Sequence, residues 1–207
     1  MNLEQIKNEM IKYGDIVDAK GFSPGTSGNI SCRYEDKIVI SATGASNGDL
    51  AYEDLVVIDF DGNVVEGDKK ASSEKMLHVE FYKKRPDINA IIHVHPVYLS
   101  SFAAARKSLE EPVMAENVYY FGKIPLADYA LPSSKALVDN TSKYFDKHDA
   151  VLMANHGFIV GDIDIAQAYL KLELAESYAQ VVFNATLLGG AVLLNEYEVA
   201  QIKALKN

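Results

Sequence analysis

Residues 89–96 read Asn-Ala-Ile-Ile-His-Val-His-Pro. A compact run of apolar, mostly β-branched residues bounded by Asn89 and Pro96 predicts a buried strand. Pro96 then suits the first turn of a helix running through Ala105. On a strand, His93 and His95 point to one face, roughly 6.5–7 Å apart along it. Two imidazoles so placed can converge on one metal through bonds of about 2.0–2.1 Å. The competing reading is a strand end with two satisfied histidines. Two features favour the metal: the pair closes a rigid apolar strand, and three of the five histidines fall at strand ends.

Working outward, Leu3, Ile6, Met10, Tyr13 and Val17 recur at three- and four-residue steps and predict an amphipathic helix ending near Gly21. Strand-like runs follow at Asn29–Tyr34, Lys37–Ala42 and Leu55–Phe60, the last turning at Asp61-Gly62-Asn63 into Val64-Val65 as a hairpin. Ser72-Ser73-Glu74 opens a helix to about Lys84, which stops before Pro86. Beyond the central strand, Ala150–Ala154 and Phe158–Val160 are two further strands around Asn155-His156-Gly157. A long helix spans about Ile163 to Leu188, capped by Asp162 or Asp164, and a short one starts at Glu196. Strands and helices alternate without a regular βαβ period. The expected fold is therefore α/β: one domain over 1–207, with a central mixed or antiparallel sheet flanked by helices.

Composition narrows the function. With 207 residues, 48% of them hydrophobic, the chain can bury a real core. A net charge of −9 argues against nucleic acid and against an anionic membrane surface as partners. The polar first residues carry no signal peptide, and no apolar stretch nears the ~20 residues of a membrane span. Cys32 stands alone, which suits a reducing compartment, so a cytoplasmic protein is expected.

Three other constellations could carry chemistry. His156, before a glycine at a strand break, sits in a tight turn that can present its side chain. Alone it reads as a loop histidine; with His93 and His95 it completes the three-histidine set of a catalytic metal. Ser72-Ser73-Glu74 reads either as a helix N-terminus with a hydroxyl cap and a favourable acid, or as an anion site beside a carboxylate. Two small-residue loops, Thr26–Asn29 and Ser41–Gly44, can cradle a phosphate through backbone N–H groups without a lysine. No Walker or dinucleotide fingerprint is present. Ordinary roles are expected for His78, mid-helix, and His148, in a polar loop.

In order and spacing, SGNIS (27–31), SATG (41–44), SSE (72–74), HVH (93–95) and NHG (155–157) resemble the zinc-dependent class II sugar-phosphate aldolases. That family includes L-fuculose-1-phosphate aldolase, L-ribulose-5-phosphate 4-epimerase, methylthioribulose-1-phosphate dehydratases and the adducin head. The resemblance runs over essentially the whole chain. It implies the class II aldolase/adducin-head fold and one Zn²⁺ per subunit held by His93, His95, His156 and Glu74. It implies that Glu74 doubles as acid/base, and that Gly28, Asn29, Thr43, Gly44, Ser72 and Ser73 bind the substrate phosphate. The epimerase branch has Asp where this chain has Glu74, which favours the aldolase branch.

The activity so implied is reversible cleavage of a ketose 1-phosphate, L-fuculose 1-phosphate being the expected one, to dihydroxyacetone phosphate and L-lactaldehyde. The chain would then be a class II aldehyde-lyase of fucose metabolism, a homotetramer with sites at subunit interfaces. The Val113–Phe121 stretch, rich in aromatics, suits such an interface. A 4-epimerase, a dehydratase using an acid such as Glu116, and a non-catalytic adducin-like interaction module are the other outcomes this scaffold allows. The chain departs from the family at three aromatic positions. Met114 stands where an interface tyrosine protonates the aldehyde oxygen, Pro132 lies near another aromatic, and Asn207 lies near a C-terminal tyrosine. Glu116, Tyr119, Tyr120 and Tyr129 are the candidate substitutes.

Overall fold

The computed structural model describes residues 1–206. Its elements in order are α1 (Leu3–Ala19), β1 (Asn29–Tyr34), β2 (Lys37–Ser41), β3 (Leu55–Ile58), β4 (Val64–Glu66), α2 (Lys75–Lys84), β5 (Ala90–Val94) and α3 (Val97–Ala104). There follow α4 (Ala115–Tyr120), β6 (Leu126–Ala127), α5 (Lys135–Ser142), β7 (Ala150–Met153), β8 (Gly157–Asp162), α6 (Ile165–Leu187) and α7 (Glu196–Ala204). The strands form one sheet in the order β4-β3-β2-β1-β5-β8-β7-β6. Every pairing is antiparallel except β6 with β7, so the sheet is mixed, as expected.

Helices cover both faces. Ile30, Val39, Ala90, Ile92 and Val94 pack with α1, α3 and α6 on one side. Ile38, Ile40, Val56, Ile58 and Ile91 pack with α2 and α5 on the other. Burial on both faces explains why β3, β5 and β7 are continuous apolar runs rather than alternating ones. The 89–96 strand lies mid-sheet, between β1 and β8.

The register decides what faces what. Asn29 pairs with His93 and Ser31 with Ile91, so these four side chains share the face that packs on α2. β8 runs antiparallel to β5, with Val94 opposite Phe158, which brings the 155–157 turn to the end of the His93–His95 strand.

Of the two expected caps for α6, Asp164 serves: its carboxylate accepts from Gln167 N. Other ends differ from expectation. Helix α3 begins at Val97 with Pro96 as its N-cap, one residue outside the first turn. Helix α2 begins at Lys75, and its N-cap residue Glu74 makes no side-chain cap bond. The structure also contains α4, β6 and α5, none of which was expected from the sequence. Asn207 lies outside the described residues.

Candidate active site

The three strand-end histidines converge. One ring nitrogen from each of His93, His95 and His156 lies within 4.8 Å of the other two. Their ring centroids are 4.9 to 5.2 Å apart. His93 Nε2 is 3.3 Å from His95 Nε2, as the shared strand face requires.

Each histidine is aimed by its surroundings. His93 Nδ1 lies 2.9 Å from Phe158 O across the β5–β8 ladder. A carbonyl only accepts, so Nδ1 carries a proton and Nε2 is the nitrogen turned to the cluster. His95 approaches so closely that a Cβ at position 157 would stand 2.3 Å from its Cδ2 and 2.7 Å from Val94 O. Glycine at 157 is therefore a requirement of the cluster. Two residues earlier, Asn155 adopts a left-handed backbone, with φ 53°, and is pinned to the end of α3. Its N–H donates to Ala103 O at 3.0 Å, and Arg106 Nε donates to its Oδ1 at 3.0 Å. That clamp sets where His156 begins.

Glu74 closes the cluster. Its Oε2 is 3.0 Å from His93 Nε2 and its Oε1 is 3.4 Å from His156 Nε2. Burial opposes ionisation of Glu74, but His93, His156 and the Asn29 amide outweigh it and hold the carboxyl well below its ordinary range. Burial likewise pushes His95 down to about 3 and His156 down to about 4, reinforced by the positive charge that His93 gains beside Glu74. The fate of Glu74 contradicts a simple capping acid: its side chain is turned to the histidines.

Three imidazole nitrogens and one carboxylate oxygen are a donor set suited to zinc. Their environment fits that ion. Glu74 Oε1 is buried with no hydrogen-bond partner, and His156 Nδ1 likewise. Two imidazoles held neutral at a buried carboxylate supply lone pairs that a cation would satisfy.

The residues expected to hold phosphate form two groups. Gly28, at φ +82°, lies against β5, where an added Cβ would stand 2.6 Å from His93 O. Asn29 is buried, and its side chain is engaged inward: Nδ2 donates to Glu74 Oε2 at 3.3 Å, and Oδ1 meets His78 Nε2 at 2.5 Å. Thr43 and Gly44 lie in an exposed loop beside the 70–73 segment, tied by Thr43 N to Lys70 O and Ser72 N to Ser41 O. Ser72 Oγ is buried and accepts from Glu74 N at 3.2 Å, while Ser73 is exposed. Ser133, at φ 63°, adds an unforeseen hydroxyl, donating to Ser73 Oγ at 2.9 Å.

Among the described residues, Glu116, Tyr119, Tyr120 and Tyr129 make no hydrogen bond to the histidines or Glu74. Tyr119 packs edge-on against Tyr120, with Lys206 Nζ over its ring. His148 stays at the surface, as expected, with its ring at Lys123 O. His78, for which an ordinary role is expected, is wholly buried, with its Nε2 at Asn29 Oδ1. Sequence reasoning also missed Glu176, buried on α6, whose two oxygens accept from Tyr98 N and Leu99 N at 2.8 Å each. It caps α3, which has no local side-chain cap, directly after the His93–His95 strand. The acid lies 77 and 78 residues from the amides it serves, so no local pattern could reveal it.

Comparison with known proteins defines the class. Residues 8–183 match the model of the Class II Aldolase and Adducin N-terminal domain. The chain belongs to that family, and it is a lyase of the aldolase type. It is 33% identical over 205 residues to 5-deoxy-D-ribulose 1-phosphate aldolase of Bacillus thuringiensis serovar kurstaki, covering 98% of this chain and 95% of that one. It is 32% identical over 203 residues to 3-oxo-tetronate 4-phosphate decarboxylase of Haemophilus influenzae, covering 95% of each. A solved L-fuculose 1-phosphate aldolase superposes with a TM-score of 0.93 at 31% identity, covering 100% of this chain and 98% of that one.

Proposed function

We propose that the chain is a zinc-dependent aldolase that reversibly cleaves a ketose 1-phosphate into dihydroxyacetone phosphate and a short aldehyde. L-Fuculose 1-phosphate, giving L-lactaldehyde, is the proposed substrate. The observation that carries this reading is the convergence of His93, His95, His156 and Glu74 at one buried point. These four residues would hold the zinc, which as a Lewis acid supplies stabilisation for the negative charge that carbon–carbon cleavage leaves on the ketose oxygens. The likeness to the L-fuculose and 5-deoxy-D-ribulose 1-phosphate aldolases supports the substrate class.

The chain's own residues divide the remaining work. Glu74, ionised at neutral pH, moves the proton at the dihydroxyacetone carbon. The hydroxyls of Thr43, Ser72 and Ser73 and the backbone around Gly28 and Gly44 bind the phosphate without a lysine, which suits an overall acidic protein. Asn29 contributes there through the second hydrogen of its amide, since its other side-chain polar atoms are engaged and its backbone is paired with His93. We propose further that the protein works in the cytoplasm as a homotetramer with its sites between subunits. Exposed Leu187, Leu188, Val192 and Tyr197 support an interface at the C-terminal end of α6 and in α7.

The relative named as a decarboxylase favours one second reading. Loss of carbon dioxide from a 3-oxo acid phosphate also leaves negative charge beside a carbonyl, and the same four residues would serve it. A panel of ketose 1-phosphates and 3-oxo acid phosphates separates the two. Release of dihydroxyacetone phosphate from a ketose 1-phosphate is expected, and carbon dioxide release from the acids alone would replace this reading with the second.

A further inference from the structure

Beneath the site lies a file of buried polar side chains, of which the proposed chemistry uses only Glu74 and Asn29. Two stripes build it. Asn29 and Ser31, two apart on β1, face α2. Glu74, His78 and Tyr82 stand at four-residue intervals, so they share one face of α2 and its N-cap. The Tyr82 hydroxyl donates to Ser31 O at 3.0 Å and lies 2.9 Å from Ser31 Oγ. Ser31 Oγ is 2.7 Å from His78 Nδ1, and His78 Nε2 is 2.5 Å from Asn29 Oδ1. Asn29 Nδ2 reaches Glu74 Oε2 at 3.3 Å.

With His78 neutral, one arrangement of protons serves the file, the Tyr82 proton being shared between Ser31 O and Ser31 Oγ. The Glu74 carboxylate only accepts, so Asn29 turns its amide N–H towards it and its carbonyl towards His78. His78 must then donate from Nε2, which leaves Nδ1 to accept the Ser31 hydroxyl proton. With the amide reversed, the Asn29 carbonyl would stand against a carboxylate, and no water could relieve the repulsion, because Ser31 and His78 are fully buried and Asn29 nearly so. Burial, with the charge on His93, pushes His78 down to about 3, so the ring is neutral, as the arrangement requires.

We infer that His78 is a positioning residue: by donating to Asn29 Oδ1 it fixes that amide with its N–H on Glu74, and thereby holds the Glu74 carboxylate at the histidine cluster. The inference rests on the zinc reading above for its affinity consequence, whereas the proton arrangement stands on the hydrogen bonds and on the burial that keeps the ring neutral.

Two measurements test it. Nitrogen-15 spectra of the metal-free protein should show His78 as the neutral Nε2–H tautomer between pH 6 and 8; an Nδ1–H tautomer or a charged ring would overturn the inference without recourse to any variant. Zinc affinity, read by competition with a chromophoric chelator, supplies the second. His78→Leu and Asn29→Ala should each weaken zinc about tenfold. The double variant should bind zinc no worse than Asn29→Ala alone, and His78→Gln, which can still donate, should recover most of the loss. Equal losses from His78→Leu in the two backgrounds, or no loss at all, would overturn the inference. A wild-type protein that takes up no zinc would instead refute the metal reading, and the tautomer would then decide the role of His78 by itself.

Discussion

Glu74 and Gly157 show how much of the site turns on single residues. Glu74 occupies an N-cap position yet spends its carboxylate on His93 and His156. Glu74→Gln keeps the shape and removes the charge. It should leave the fold and, at saturating zinc, most of the metal, held by three histidines though at least about tenfold more weakly, while turnover and deuterium exchange at the dihydroxyacetone phosphate carbon both fall by ~10²-fold or more. Normal exchange in that variant would show that another residue is the base. Gly157 acts by absence. Any side chain there collides with the His95 ring and with Val94 O, and the second of these belongs to the β5–β8 ladder. Gly157→Ala should therefore fold but bind zinc about tenfold more weakly or worse, in the range seen when the support of a metal ligand is disturbed. Unchanged zinc affinity would mean that the ladder can open by several tenths of an ångström at no cost.

At the scale of elements, the site is the meeting of a strand end, a strand-to-strand turn and a helix N-terminus. Helix α3 fixes two of these, since it follows His95 directly and its C-terminal carbonyls hold Asn155. Its own N-terminus is satisfied from α6, by Glu176. Glu176→Ala strands two amides, one of them buried, and should cost about 1–3 kcal/mol in chemical denaturation. Glu176→Gln, which keeps one acceptor, should cost less, and equal losses would argue that Glu176 stabilises by packing alone. The contrast with β5 explains what was legible beforehand. The 89–96 strand, its two histidines and the 155–157 turn could be read because period two and a strand-breaking glycine are local signals. The spacings of Asn29 with Ser31 and of Glu74, His78 and Tyr82 were equally visible. A polar residue at helical spacing, however, does not announce whether its face is inward, so the sequence alone predicts only an ordinary role for His78. The stretch from 106 to 149 holds only elements of two to eight residues, too short to show a period.

For the whole molecule, the eight-stranded sheet with helices on both faces follows from apolar runs that are buried twice over, and the expected class of fold stands. Assembly is a separate matter. The C-terminal end of α6 and the α7 region expose Leu187, Leu188, Val192, Tyr197 and Leu205, large apolar side chains of the kind that mark protein–protein contact when they cluster. Sedimentation should find a tetramer, and a fully active monomer would refute both the assembly and the placing of sites between subunits. No helix among the described residues is long and apolar enough to cross a membrane. The central claim is that His93, His95, His156 and Glu74 form one zinc-dependent catalytic centre. Its most direct test is to strip the metal with a chelator, restore zinc stepwise, and follow both bound zinc and dihydroxyacetone phosphate release. Activity should vanish on removal and return in proportion to zinc, saturating at one ion per chain. Full activity in metal-free protein would contradict the account.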